Sequence, residues 1–111
     1  MSGNTSTNYT QFTGTINGPH NLTINSGAGR AILGGEIGNS DAIGDLNVVS
    51  TADNFIIRNI TASGNVNWNN AGGKLTLTSS RVVSAGGNID ILADVFINLG
   101  SLTAGGTVTT P

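Results

Sequence analysis

The chain contains no cysteine, two prolines and few charged or aromatic residues. Without cysteine, disulfides, thiolate metal sites and cysteine nucleophiles are excluded. Charged residues make up 9% of the chain, against about 25% in ordinary globular domains. The cations Arg30, Arg58, Lys74 and Arg81 are spread singly and the net charge is −2, so no basic stripe could bind nucleic acid. Apolar runs are too short for membrane insertion.

The N-terminal residues differ from the rest in composition. Met1 to Thr10 is polar and has neither the cationic region nor the apolar region of a secretory signal. Either the chain is exported by other means, or it is an excised segment with an added Met, which we favour. Residues 1–13 are therefore predicted to be an N-terminal polar segment that could form a partial cap, and residues 14–111 to be repeats within one domain.

An internal repeat occupies most of the chain. A polar residue followed by an apolar–any–apolar triplet recurs, and the first apolar position continues at the C-terminus. Intervals of 24, 20, 23 and 19 residues separate these apolar positions. Such a period is typical of a solenoid, whose units bury their apolar faces only by stacking on one another. The positions are Leu22, Leu46, Val66, Ile89 and Val108.

Two further series of apolar residues repeat with a similar period. Each strand is expected to alternate inward apolar and outward polar residues, while glycine-rich segments form the corners between strands. The sequence therefore predicts an all-β, parallel β-helix with three short strands per rung of about 21 residues and four to five rungs. One series is Ile32, Phe55, Ile57, Leu75, Leu77 and Phe96, and the other is Ile16, Ile37, Ile60, Val82 and Leu102.

This architecture predicts vertical stacks of like residues. The five lead positions form one inward column, and Ile24, Val48, Trp68 and Ile91 form a second. We favour burial of Trp68, provided that its aliphatic neighbours make room; an outward Trp68 would suit sugar or protein contact. The residues before the lead positions are either a polar ladder that bonds along the axis or simple turn formers. These are Asn21, Asp45, Asn65 and Asn88.

Other architectures explain the pattern less well. An antiparallel sandwich also has short strands, but its hairpins are marked by two-residue Asn-Gly or Asp-Gly loops. Here Asn17-Gly18 is the one such dipeptide. No apolar stripe of helical spacing is present, and glycine, asparagine, threonine and β-branched residues disfavour helix. The matched period of the columns favours the solenoid.

The repeat texture resembles a known family. Segments such as Ala85-Gly86-Gly87-Asn88-Ile89-Asp90-Ile91 and Ala71-Gly72-Gly73-Lys74-Leu75-Thr76-Leu77 are similar to repeat regions of filamentous-haemagglutinin-type bacterial exoproteins. The resemblance spans about Gly14 to Thr109 and implies a right-handed parallel β-helix that acts as a stiff stalk. The Asn-Pro-Asn-Gly or Asn-Pro-Asn-Leu motif of the family's secretion domain is absent. The resemblance therefore implies stalk repeat and transfers no site residues.

Metal and cofactor chemistry has little support in the sequence. His20, the one histidine, lies beside Pro19 without nearby carboxylates, and we expect an exposed turn residue. The acidic segment after Gly35 offers oxygen ligands for calcium, yet it has neither EF-hand spacing nor the calcium nonapeptide. We predict a bulging loop, no metal and no cofactor. The calcium candidates are Glu36, Asn39, Asp41 and Asp45.

The sequence gives little support to an enzymatic or an ice-binding function. Glycoside cleavage needs two carboxylates about 5–10 Å apart, but the expected neighbours of Asp90 are the uncharged Asn67 and Thr109. Asp94 is expected two rungs from Asp53, so no acid pair results and we predict no catalytic activity. The outward residues of the lead strand do not form the regular threonine face expected of an ice-binding solenoid.

The sequence therefore predicts a structural and interaction module: a stalk repeat segment of a secreted or surface-located bacterial adhesin-like protein. A self-assembling β-solenoid filament subunit is the alternative, followed by an ice-binding solenoid. The expected partners are further repeats of a longer parent chain or other copies stacked end to end, because solenoid ends expose unpaired strand edges. A host or surface receptor stays unidentified.

Overall fold

The structure is a computed structural model that describes residues 14–111 and the backbone of residues 9–12. The described chain is a β-solenoid in which all strand pairs are parallel. The fold class predicted from the repeat period is therefore confirmed. None of the described residues belongs to a helix capable of crossing a lipid bilayer.

The described residues form eleven strands. In chain order they are β1 (Tyr9–Phe12), β2 (Leu22–Gly27), β3 (Arg30–Leu33), β4 (Leu46–Ser50), β5 (Asn54–Ile56), β6 (Ile60–Ala62), β7 (Val66–Leu77), β8 (Val82–Ala85), β9 (Ile89–Asn98), β10 (Ser101–Ala104) and β11 (Val108–Thr109). β1 lies within the segment that the sequence assigned to a cap. The rest of that expected cap, residues 1–8 and 13, lies outside the described residues.

The first face of the solenoid carries the lead repeats. Its strands follow the order β2, β4, β7, β9 and β11, with β7 and β9 contributing their first halves. The register pairs Leu22 with Leu46, Leu46 with Val66, Val66 with Ile89, and Ile89 with Val108. The predicted lead column is thus brought together in the structure.

The second and third faces complete each rung, which is one turn of the coil. On the second face, β1 pairs with β3, and β5 and the later half of β9 flank the later half of β7. β7 and β9 turn the corner without ending, so two of the expected short strands merge there. The third face consists of β6, β8 and β10. Isolated bridges from Ile60 to Ile37 and from Ile37 to Ile16 extend this face towards the N-terminal, or lower, end of the solenoid.

The hydrophobic core is the continuous interior of the coil. Ile24, Val48, Trp68 and Ile91 are at most 2% exposed and pair in register as the second column. Burial of each such side chain contributes about 1.5–3 kcal/mol relative to exposure. Since every rung rests on its neighbours, this stabilisation is a property of the stack and not of one repeat.

Two parts of the predicted alternation are wrong. In the third series the inward member is Val83, which is 1% exposed and pairs with Ile60, whereas Val82 is 38% exposed. On the second face, Phe55 and Ile57 are 39% and 37% exposed and Asn54 and Ile56 are buried. Ile32 likewise alternates with the buried Ala31 and Leu33. The cause is the corner before each strand, whose length varies and resets which alternate residues face inward.

Candidate functional site

The corner between the third and first faces carries a ladder of side-chain hydrogen bonds. Asn21 Oδ1 accepts the Asp45 N–H at 2.8 Å, and Asp45 Oδ1 accepts the Asn65 N–H at 2.7 Å. Asn65 Oδ1 accepts the Asn88 N–H at 2.9 Å, and Asn88 Oδ1 accepts the Thr107 N–H at 2.8 Å. Each side chain therefore joins one rung to the next, in a single series running along the axis.

The ladder differs from a stack of amide side chains. Every acceptor in it is a side-chain oxygen, but every donor is a backbone N–H of the following rung. At a corner the backbone turns away from the regular ladder, so a side-chain oxygen supplies the acceptor that the backbone no longer offers. An amide pair of the expected kind occurs instead on the outer first face, where Asn67 Nδ2 donates to Asn47 Oδ1 at 3.2 Å.

Glycine precedes the ladder residue wherever an Asn or Asp lies one rung below. A Cβ added to Gly44 would overlap Asn21 Oδ1, and one added to Gly64 would overlap Asp45 Oδ1. The same relation joins Gly87 to Asn65 and Gly106 to Asn88. The ladder oxygen thus occupies the space of the missing side chain. The repeated dipeptide, Gly-Asn or Gly-Asp and called the Gly-Asn dipeptide below, is a two-part steric and hydrogen-bonding unit.

The two ends of this corner depart from the dipeptide. His20 precedes Asn21 in place of glycine, and Thr107 follows Gly106 in place of asparagine. His20 is exposed in the structure, at the corner where the sequence predicts a turn residue. Its carbonyl accepts the Gly44 N–H at 2.9 Å, so the backbone part of the corner is kept although the glycine is not.

A buried polar cluster lies at the next corner, between the first and second faces. Trp68 Nε1 donates to Asn70 Oδ1 at 3.1 Å, and Asn54 Nδ2 donates to the same oxygen at 2.6 Å. Asn70 Nδ2 in turn donates to Ala52 O, and Asn54 Oδ1 accepts the Ala31 N–H. Both asparagines are at most 1% exposed. Sequence reasoning missed this cluster, although Asn70 follows Trp68 by two residues and so shares its inward side.

Ser26 and Ser50 extend the polar positions inside that corner. Ser50 Oγ donates to Gly29 O at 2.8 Å. Ser26 is fully buried and its Oγ has no hydrogen-bond partner among the described residues. An unpaired hydroxyl in the interior lowers stability, so Ser26 is a weak point of the rung that contains β2 and β3.

Two of the calcium candidates accept hydrogen bonds from separate backbone groups. Glu36 Oε2 accepts the Asn59 N–H at 3.0 Å, whereas Asp45 belongs to the corner ladder. Asn39 and Asp41 are exposed, and the Asp41 N–H donates to Asn17 Oδ1 at 3.3 Å. Within the described part of the chain, no group of three or more His, Asp or Glu residues is positioned to hold a metal ion.

Most carboxylates of the chain are engaged with backbone. Besides Glu36 and Asp45, Asp53 Oδ1 accepts the Lys74 N–H and Asp94 Oδ1 accepts the Gly72 N–H, both at 2.9 Å. Four of the six acidic residues thus bond to another rung. Their oxygens act as structural acceptors.

The outer first face carries polar side chains in register. Thr23, Asn47, Asn67, Asp90 and Thr109 form one outward column. A shallow depression beside it is lined by Asn67, Asn69, Asp90 and Leu92 among others. The column has threonine only at its two ends, with amide and carboxylate groups between them.

The outer second face is the more apolar one. Phe55, Ile57, Val95 and Ile97 are between 37% and 51% exposed. The Arg30 guanidinium carbon lies 5.6 Å from the centre of the Phe55 ring, within the range of a cation–π contact. The sequence placed Phe55 and Ile57 in the core, so this surface was not foreseen.

In comparisons with protein-family models, with curated proteins and with solved structures, nothing matches this chain.

Proposed function

We propose that this chain is a structural and interaction module, a stalk repeat segment of a secreted or surface-located bacterial adhesin-like protein. The observation that carries the proposal is the use of its polar side chains. Four of the six carboxylates and the ladder asparagines bond to the backbone of a neighbouring rung. Side chains committed to holding rungs together suit a rod more than a reaction centre.

The core supports the same role. Inward residues of the middle rungs are nearly fully buried, and one hydrophobic interior continues from rung to rung. Because neighbouring rungs share both a core and a hydrogen-bond ladder, bending at one point would break contacts of several kinds. A stiff element of this sort holds a binding region at a fixed distance from a surface. The resemblance of the repeats to filamentous-haemagglutinin-type proteins adds the bacterial surface as its setting.

A display experiment tests the rod. The chain is placed between two fluorescently labelled domains, and the distribution of their separation is measured by single-molecule energy transfer. We expect one narrow distribution, in contrast to a Gly/Ser linker of the same length, which samples a broad range. A distribution as broad as that of the linker control would refute the proposed stalk.

The location is tested on the organism that produces the protein. Antibodies against the folded chain should label intact cells, or should detect the chain in the culture medium. Labelling that requires lysis of the cells would overturn the surface or secreted location.

A further inference from the structure

The last rung of the described solenoid presents an uncovered section of core. Val108 is 41% exposed, whereas Ile89, its partner one rung below, is fully buried. Leu102 is half-buried above Val83, which is 1% exposed. Among the described residues, β10 and β11 are the last strands of their sheets, and the later half of β9, beyond its pairing with β11, has no partner strand on that side. These edges can therefore pair with another parallel strand.

The two ends of the solenoid form matching steps. At the lower end, β1 on the second face and Ile16 on the third face lie one rung below β3 and Ile37. At the upper end, β11 extends the first face by one rung beyond the second and third faces. A second copy placed on top would set its β1 on β9, its Ile16 on β10 and its β2 on β11. All three faces then continue with the same offset of five rungs.

The corner ladder fits such a junction. Within the chain, a glycine is required above each Asn or Asp because the ladder oxygen fills the space of a side chain. At the junction the lower residue would be Thr107, whose side chain is shorter than asparagine, and the upper residue would be His20, which has a Cβ. The two departures from the Gly-Asn dipeptide therefore meet each other. Leu22 of the upper copy would lie on Val108 and extend the lead column.

We propose that copies of this chain associate end to end, the β9–β11 edge of one copy pairing with the β1–β2 edge of the next. This inference goes beyond the proposed stalk role, because it names a second copy of the chain as the partner at the ends of the solenoid. The contact joins two different surfaces, so every assembly keeps one unpaired surface of each kind and grows as a filament. With rungs about 4.8 Å apart, five rungs give an axial repeat of about 24 Å per copy.

The first test measures assembly of the full chain over a range of concentrations, by light scattering coupled to size exclusion and by electron microscopy. We expect masses that grow with concentration and thin unbranched filaments. Val108→Asp should reduce the association constant at least tenfold, because it places a carboxylate in the junction core. The matched control is Val49→Asp: Val49 is 40% exposed on the outside of β4, which lies between β2 and β7 and away from both ends, and its replacement should leave assembly unchanged. Far-ultraviolet circular dichroism checks that both variants stay folded.

The second test fixes the register of the junction. The chain has no cysteine of its own, so Thr23→Cys and Thr109→Cys together introduce one thiol at each end of the outward column. Paired residues of neighbouring strands lie within disulfide range, and mild oxidation should give a ladder of covalent multimers that reducing agent removes. Thr109→Cys alone should give no ladder.

The outcomes separate this inference from the proposed stalk. A monodisperse monomer at the highest attainable concentration would overturn end-to-end association, as would efficient dimers of Thr109→Cys alone, which indicate pairing of like ends. Equal loss of assembly in Val108→Asp and Val49→Asp would also overturn it. A monomer that still gives a narrow separation in the display experiment would leave the stalk proposal intact.

Discussion

Replacing Gly87 by alanine tests the steric half of the corner unit. An added Cβ would overlap Asn65 Oδ1 and approach Gly64 O to 3.1 Å. Asn65 must then rotate away, and the Asn88 N–H loses its acceptor. At an exposed corner this loss costs about 0.5–1.5 kcal/mol, and the close approach to the backbone oxygen adds about 1 kcal/mol. Alanine also reduces the conformational entropy of the unfolded chain, which raises the free energy of unfolding by about 0.4–1 kcal/mol.

We therefore expect Gly87→Ala to lower the free energy of unfolding by about 0.5–2 kcal/mol. Gly14→Ala is the matched control, since a Cβ there meets no atom of the described residues within 4 Å. It should be neutral or stabilising by up to about 1 kcal/mol. The measurement is urea unfolding followed by the fluorescence of Trp68, the single tryptophan, which is 1% exposed in the folded chain. Circular dichroism should give the same midpoint.

A double-mutant cycle isolates the steric contact between the side chain added at position 87 and Asn65 Oδ1. Asn65→Thr removes the overlapping amide oxygen, as Thr107 does at the end of the ladder, and should itself cost about 1 kcal/mol. In that background Gly87→Ala should cost less than in the native chain, by a coupling energy of about 1 kcal/mol. Strictly additive effects, or a Gly87→Ala midpoint equal to that of Gly14→Ala, would refute the idea that glycine is needed to house the ladder oxygen.

Three further substitutions are expected to change stability in the same urea assay. Asn70→Ala should destabilise by about 2–4 kcal/mol, because Trp68 Nε1 loses its buried acceptor and a cavity forms; a loss under about 1 kcal/mol would contradict the importance of the cluster. Val83→Ala should lower the free energy of unfolding by about 1.5–3 kcal/mol, whereas Val82→Ala should change it by no more than about 0.5 kcal/mol. The reverse order would show that Val82, and not Val83, faces inward. Ser26→Ala should be neutral or stabilising by up to about 1 kcal/mol, since it removes an unpartnered hydroxyl; marked destabilisation would show that the hydroxyl is paired.

The sequence by itself determined the solenoid and its first face. Residues Leu22, Leu46 and Val66 recur at a period that only a stacked coil can use, and their register follows from the spacing alone. The polar positions before them were also visible as candidates for a ladder. Both signals are local, because the lead strand and its corner form one short segment that is repeated almost unchanged.

The second face and the buried polar cluster were decided only by the tertiary structure. Between inward residues of the first and second faces, the corner from Ser26 to Ala31 is one residue longer than the corner from Ser50 to Asn54. Since strand side chains alternate with period two, a change of one residue exchanges inward and outward positions. Phe55 therefore points out, and Asn54 points into the core, where Asn70 and two backbone groups satisfy it. Alternation is fixed within a strand, but its phase after a corner depends on the path that the backbone takes.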